Sequence, residues 1–256
     1  MDRYQRAARV VFAIGLIAMG VLGLVYGDFA MQWQPVPPGV PWRANLAFFC
    51  AALELLAGVA LLVPRLAGNA SRVLVAFVAL WLVLLKIPVV AHAPLVEVSW
   101  LGLGEIAVIL AGAWTLYELC GRAEPSAKGL RRAGILFGLA LIPIGLSHIF
   151  YTTATASLVP AWLPFHRGVA YFTGAAQVAA GLGVLFSVLP ALAATLEATA
   201  LSIFTIFVWG PGVIGAQAGR LQWTPLIMST MITAGAWVVA AGVASQHRAE
   251  HSAGAA

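Results

Sequence analysis

The sequence predicts an all-α, polytopic membrane protein with eight transmembrane helices arranged as two parallel-oriented four-helix repeats. Three observations predict it. Of 256 residues, 62% are hydrophobic and only 9% are charged. A soluble domain carries about 25% charged residues, so too few remain here to cover a water-facing surface. Stretches of the roughly 20 apolar residues that cross a hydrocarbon core occur near 8–27, 44–63, 71–92, 98–118, 133–151, 168–187, 192–214 and 222–243. The chain also matches itself when displaced by 123 to 125 positions. A soluble enzyme, a disordered tail and a disulfide-stapled secreted module are excluded.

The first stretch follows a basic start, MDRYQRAAR, as a signal peptide would. It lacks an A-x-A cleavage site and precedes seven further spans, which predicts a retained signal-anchor helix. The second carries Glu54, flanked at i−3 and i+4 by Ala51 and Gly58. Such a small-residue face lets a neighbouring backbone approach, and a polar side chain within it can bond across the contact. Lys86 and His92 lie toward the end of the third stretch, and Glu105 lies in the fourth. A charged linker at 120–132, CGRAEPSAKGLRR, divides a first unit, 1–119, from a second, 133–246, with a tail at 247–256. In the second unit the fifth stretch holds His148, and the sixth sets Gly174, Gln177 and Gly181 at the spacing of Ala51, Glu54 and Gly58.

The internal match is carried by named pairs. Phe12, Leu16, Gly20 and Tyr26 fall on Phe137, Leu141, Gly145 and Tyr151. Arg43 falls on Arg167, and Pro88 and Trp100 fall on Pro211 and Trp223. Four spans per unit return the chain to the same side, so both units share one orientation about an axis along the membrane normal. With the N-terminus in the cytoplasm, ten Lys and Arg fall in cytoplasmic segments, against Arg43, Arg167 and Arg220 on the other side. This positive-inside bias predicts that both termini are cytoplasmic.

The basic clusters are short and carry no recognition motif, so nucleic acid is not an expected partner; the lipid bilayer is. Cys50 and Cys120 lie at depths too different for a disulfide. No metal-ligand spacing occurs, and P-loop, HExxH and GxSxG patterns are absent. Trp33, Trp42, Trp100, Trp162 and Trp223 fall at the outer interface, which predicts an anchoring belt. Proline stiffens the first external loop, QWQPVPPGVPWR, and its counterpart, SLVPAWLPFHR.

Intramembrane charges cost about 2.5–3.5 kcal/mol each on insertion scales, so Glu54, Lys86 and Glu105 are the principal site candidates. At about 1.5 Å per residue, they lie roughly 15, 6–9 and 10 Å below the outer helix ends. At those depths Lys86 can bridge both carboxylates. The counterparts of Lys86 and Glu105 are Trp209 and Met228, which places the charges in the first unit alone. The trio reads either as a network fixing helix register or as a proton-handling or ligand-binding site. Gln177, His148, Arg43 and Arg167 are secondary candidates. Haem ligation by His148 would require His92 to face it. No catalytic residue is assigned.

The first-helix pattern FAIGLIAMGVLGLVYGDFA, the Pro- and Trp-rich loop and ALELLAGVALLVP resemble the DoxX family and its DoxX-like relatives. LFGLALIPIGLSHIFY and FTGAAQVAAGLGVLF repeat the pattern. The resemblance implies a bundle of four helices per unit, a bacterial cytoplasmic (inner) membrane location, and association of some members with quinol- or sulfur-linked redox complexes. Glu54 falls on the family's acidic position, whereas Gln177 departs from it. The function expected is binding of a quinone or other small apolar ligand, or attachment to a membrane redox complex. The alternatives are a small-molecule or proton-coupled transporter and a structural membrane partner.

Overall fold

The computed structural model describes residues 3–214 and 218–254, with side chains as far as 246. Among these residues there is no strand, and eight helices are long and apolar enough to cross a membrane. They are α1 (Arg3–Tyr26), α2 (Arg43–Leu62), α3 (Ala67–His92), α4 (Glu97–Cys120), α5 (Ala127–Phe150), α6 (His166–Leu185), α7 (Pro190–Val213) and α8 (Arg220–Gly254). The all-α, polytopic expectation holds. A short helix, Thr152–Leu158, follows α5. His247, Arg248 and His251 lie outside the described side chains. Helix α1 starts more than a turn ahead of its apolar stretch; Gln5 in that extension and Arg9 just after it are buried.

Each helix packs on the next in chain order, and α8 returns to α1, closing a ring. Helices α4 and α8 also meet across its centre and are the most buried, while α3 and α7 are the least. The first helix of each half therefore packs on the fourth helix of the other half, α1 on α8 and α5 on α4. One apolar cluster joins the halves, with Phe12, Leu16, Phe137 and Leu141 fully buried in it.

Small residues set the close crossings, because a missing side chain lets backbones approach. A Cβ on Gly112 of α4 would stand 2.5 Å from the Gly235 Cα on α8. A Cβ on Gly20 would stand 2.6 Å from the Ala51 carbonyl oxygen on α2, and one on Gly145 would stand 2.6 Å from that of Gly174 on α6. Wide π turns interrupt α3 at Leu82–Lys86 and α7 at Thr205–Trp209. Pro88 and Pro211 explain their position: each lacks an N–H for the carbonyl four residues back, and those carbonyls, of Leu84 and Phe207, lie inside the wide turns.

The bundle has two ends. At the linker end, Arg131 on α5 donates to the Val184 and Leu185 carbonyls closing α6, at 3.2 and 2.7 Å. Glu118 is buried there, accepting from Arg122 and the Ser126 N–H, both at 3.2 Å. The loop end carries segments 27–42, 93–96 and 151–165, with Arg220 of α8 donating to the Asp28 carbonyl.

Candidate functional site

The residue predicted deepest, Glu54, is 2% exposed. Its surroundings differ from the expected ion network. Segment 27–42 folds into the bundle, burying Phe29, Trp33, Gln34 and Val36. The Trp33 indole N–H donates to Glu54 Oε1 at 2.6 Å, and Gln34 Nε2 donates to the same oxygen at 3.0 Å. Trp33, expected in an anchoring belt, is 4% exposed and closes the space above the carboxylate. Trp42 and Trp162, at 80% and 70% exposed, keep the expected surface position. A solvated indole would lose nothing at the interface, but an unpaired Glu54 inside would be costly; two donors resolve that.

The inward fold of this segment is held by charge. Arg43, the first residue of α2, pairs with Asp28 and lies 5.4 Å from the Phe29 ring centroid. Its Nε and Nη2 reach the Val36 carbonyl at 3.4 and 3.3 Å. Arg220 adds the Asp28 carbonyl and stacks over Tyr26 at 5.2 Å. Arg167, the register match of Arg43, is exposed. Of these two secondary candidates, only Arg43 is brought to the Glu54 site.

Lys86 is the last residue of the α3 π turn and is buried, its ammonium passing over Gly102 on α4. It interacts through charge with Glu105, and Glu105 with Glu97 at the start of α4. No direct ion pair joins these three among the described residues. Glu54 is not part of this group: its bonds go to Trp33 and Gln34. The expected Glu–Lys–Glu bridge is therefore replaced by two separate arrangements.

The second half holds a charge that the sequence reading passed over. Glu197, on α7, is 2% exposed and accepts from Gln177 Nε2 of α6 at 3.1 Å. The placement of intramembrane charge in the first half alone is corrected by this pair. The signal was available, since Glu197 stands inside the apolar stretch 192–214. Its register partner is Leu74, so comparing the halves drew no attention to it. Gln177 Oε1 is buried without a partner.

His148 is half-buried, with Nδ1 2.9 Å from Thr173 Oγ1. The same hydroxyl lies 3.1 Å from the Ala170 carbonyl. His92 is exposed at the end of α3, and the Thr173 bond gives His148 a core role without it. Cys50 and Cys120 form no disulfide. Among the described residues no group of three His, Cys, Asp or Glu side chains is placed to hold a metal ion.

A site absent from the sequence reading lies between α4 and α5 at the loop end. A groove of about 940 Å³ is walled by apolar side chains, among them Leu103, Leu139, Pro143 and Phe150, with Glu97, Trp100 and Tyr151 at its mouth. Both Glu97 carboxylate oxygens are withdrawn from solvent without a hydrogen-bond partner. The Tyr151 hydroxyl accepts from the Val98 N–H at 3.2 Å, which leaves its own proton to donate. Trp100 Nε1 donates to the Pro94 carbonyl at 2.9 Å, fixing its ring at the edge. A carboxylate without a hydrogen-bond partner and a tyrosine hydroxyl thus both line an apolar slot. No known family, curated protein or solved structure compared with this chain matches it.

Proposed function

We propose that this is a DoxX-like protein of the bacterial inner membrane, built from two tandem units, that binds a small apolar ligand of the quinol type from the loop-side leaflet. The positive-inside bias puts both termini and the linker end in the cytoplasm. The tandem reading is supported by features recurring at matched positions: the two π turns, and left-handed Trp42 and Phe165 ahead of α2 and α6. The unpartnered Glu97 carboxylate beside the Tyr151 hydroxyl carries the ligand reading. A flat ring fits the apolar slot with one hydroxyl at the end lined by Glu97 and Tyr151. Lys86 and Glu105 lie behind Glu97 and set the local charge. A membrane redox complex is the partner that would supply or consume such a ligand.

The test is a quinol-analogue titration of the purified protein in nanodiscs, read by quenching of tryptophan emission. Saturable quenching is expected, lost in Trp100→Phe. A hydrogen bond to a charged group contributes about 1.5–3 kcal/mol, so Glu97→Leu should weaken binding roughly tenfold or more. Tyr151→Phe should weaken it less, and Glu54→Gln should leave it unchanged. Non-saturable quenching, equal in all variants, would reduce the groove to a lipid-facing surface.

Glu197 favours a second reading, proton-coupled transport, because each half then holds a carboxylate buried inside the bundle, Glu54 on α2 and Glu197 on α7. Proteoliposomes would report it as a proton flux lost in both Glu54→Gln and Glu197→Gln. Flux that persists in either variant removes that carboxylate from the path.

A further inference from the structure

A second cavity, of about 610 Å³, opens at the linker end between α5, the α6–α7 turn and α8. Its polar wall is basic. Lys128, Arg131 and Arg132 all line it from the first turns of α5, and among the described residues no Asp or Glu lines it. Arg131 is held in place by the Val184 and Leu185 carbonyls, so its charge is fixed at the back of the cavity. Lys128 and Arg132 are exposed and make no ion pair among the described residues. The deeper wall is apolar, formed by Gly134, Val184 and Val243.

Three cations converging on one cavity repel one another unless an anion lies between them. The depth indicates which anion. Lys128 is the second residue of α5 and Pro190 the first of α7, so the cavity lies at the ends of spanning helices. Lipid phosphates occupy that level of a bilayer, and basic pockets between helices there hold acidic headgroups. The apolar floor suits the glycerol and upper acyl chain below such a phosphate. The Arg131 guanidinium, planar and permanently charged, suits a phosphate oxygen.

We propose that this cavity binds a phosphate-bearing anion, the headgroup of an acidic phospholipid, between Lys128, Arg131 and Arg132. The site is separate from the α4–α5 groove and does not depend on the function proposed for it. A soluble phosphate would offer the same charge without the acyl chain, and the experiment separates the two.

The full-length protein is purified in detergent and analysed by native mass spectrometry with phosphatidylglycerol, cardiolipin or phosphatidylcholine added. Acidic lipids should be retained through collisional activation and phosphatidylcholine should not. Lys128→Gln with Arg132→Gln should reduce retention roughly tenfold or more, since each basic residue near an acidic surface contributes about fivefold. Gly134→Phe fills the floor with every charge kept, and should reduce lipid retention while leaving inorganic phosphate binding by calorimetry intact. Phosphate binding without lipid retention would assign the same cations to a soluble anion. Equal retention of acidic and zwitterionic lipids, with no phosphate binding, would overturn the proposal. So would unchanged acidic-lipid retention in the double variant, which alters exposed side chains and should fold normally.

Discussion

Gly112→Val is expected to abolish the folded bundle. The Cβ alone would stand 2.5 Å from the Gly235 Cα, and that atom is backbone, so no rotamer change relieves the contact. Helices α4 and α8 would have to separate at the centre of the ring, where both are most buried. Overpacking a core costs about 1–3 kcal/mol where side chains can give way, and a larger loss is expected where they cannot. Size-exclusion chromatography should show aggregated or absent protein. Gly134→Ala is the control: its Cβ would meet Val243 at 3.6 Å, an ordinary contact. Monodisperse Gly112→Val with an unchanged melting temperature would show that the two helices do not cross as described.

The second large effect is expected at Glu54. Glu54→Leu strands the Trp33 indole N–H and one Gln34 N–H inside the bundle. Each buried donor left unpaired costs about 1–3 kcal/mol. Glu54→Gln keeps an acceptor oxygen and should be milder. Trp33→Phe removes the shorter of the two bonds. Thermal melts of the single variants and of Trp33→Phe with Glu54→Leu should show strong coupling, with the double variant far less destabilised than the sum. Additive losses would mean that Trp33 and Glu54 stabilise the protein independently.

The spanning helices were readable because a bilayer demands long apolar segments, and the polar residues beyond each apolar stretch simply extend the helices. Trp33 was not readable in the same way. An amphipathic indole near a helix end suits either the interface or an inward bond, and hydropathy does not distinguish them. The cue lay elsewhere: Asp28 and Arg43 bracket the segment with opposite charges, and Gln34 adds an amide beside the indole. Glu97 falls just ahead of the apolar stretch 98–118, and its exposure is decided by how α4 meets α5. Lys86 lies within α3, and its partners depend on a packing between α3 and α4 that no local pattern encodes. The closing contact of the ring, α1 on α8, joins segments far apart in the chain.

That closure orders how the protein can be made. Helix α1 is synthesised first, yet the helix that covers one of its sides is synthesised last. Arg220, which ties down Asp28, follows it by 192 residues. At about 5–20 residues per second of synthesis, the α1–α2 pair waits roughly 10–40 s for its neighbour. During that interval the small-residue faces of α1 and Trp33's inward-folding segment are open to competing helices. A chain that has not yet reached α8 lacks both the helix that covers α1 and the Arg220 that holds the Asp28 carbonyl.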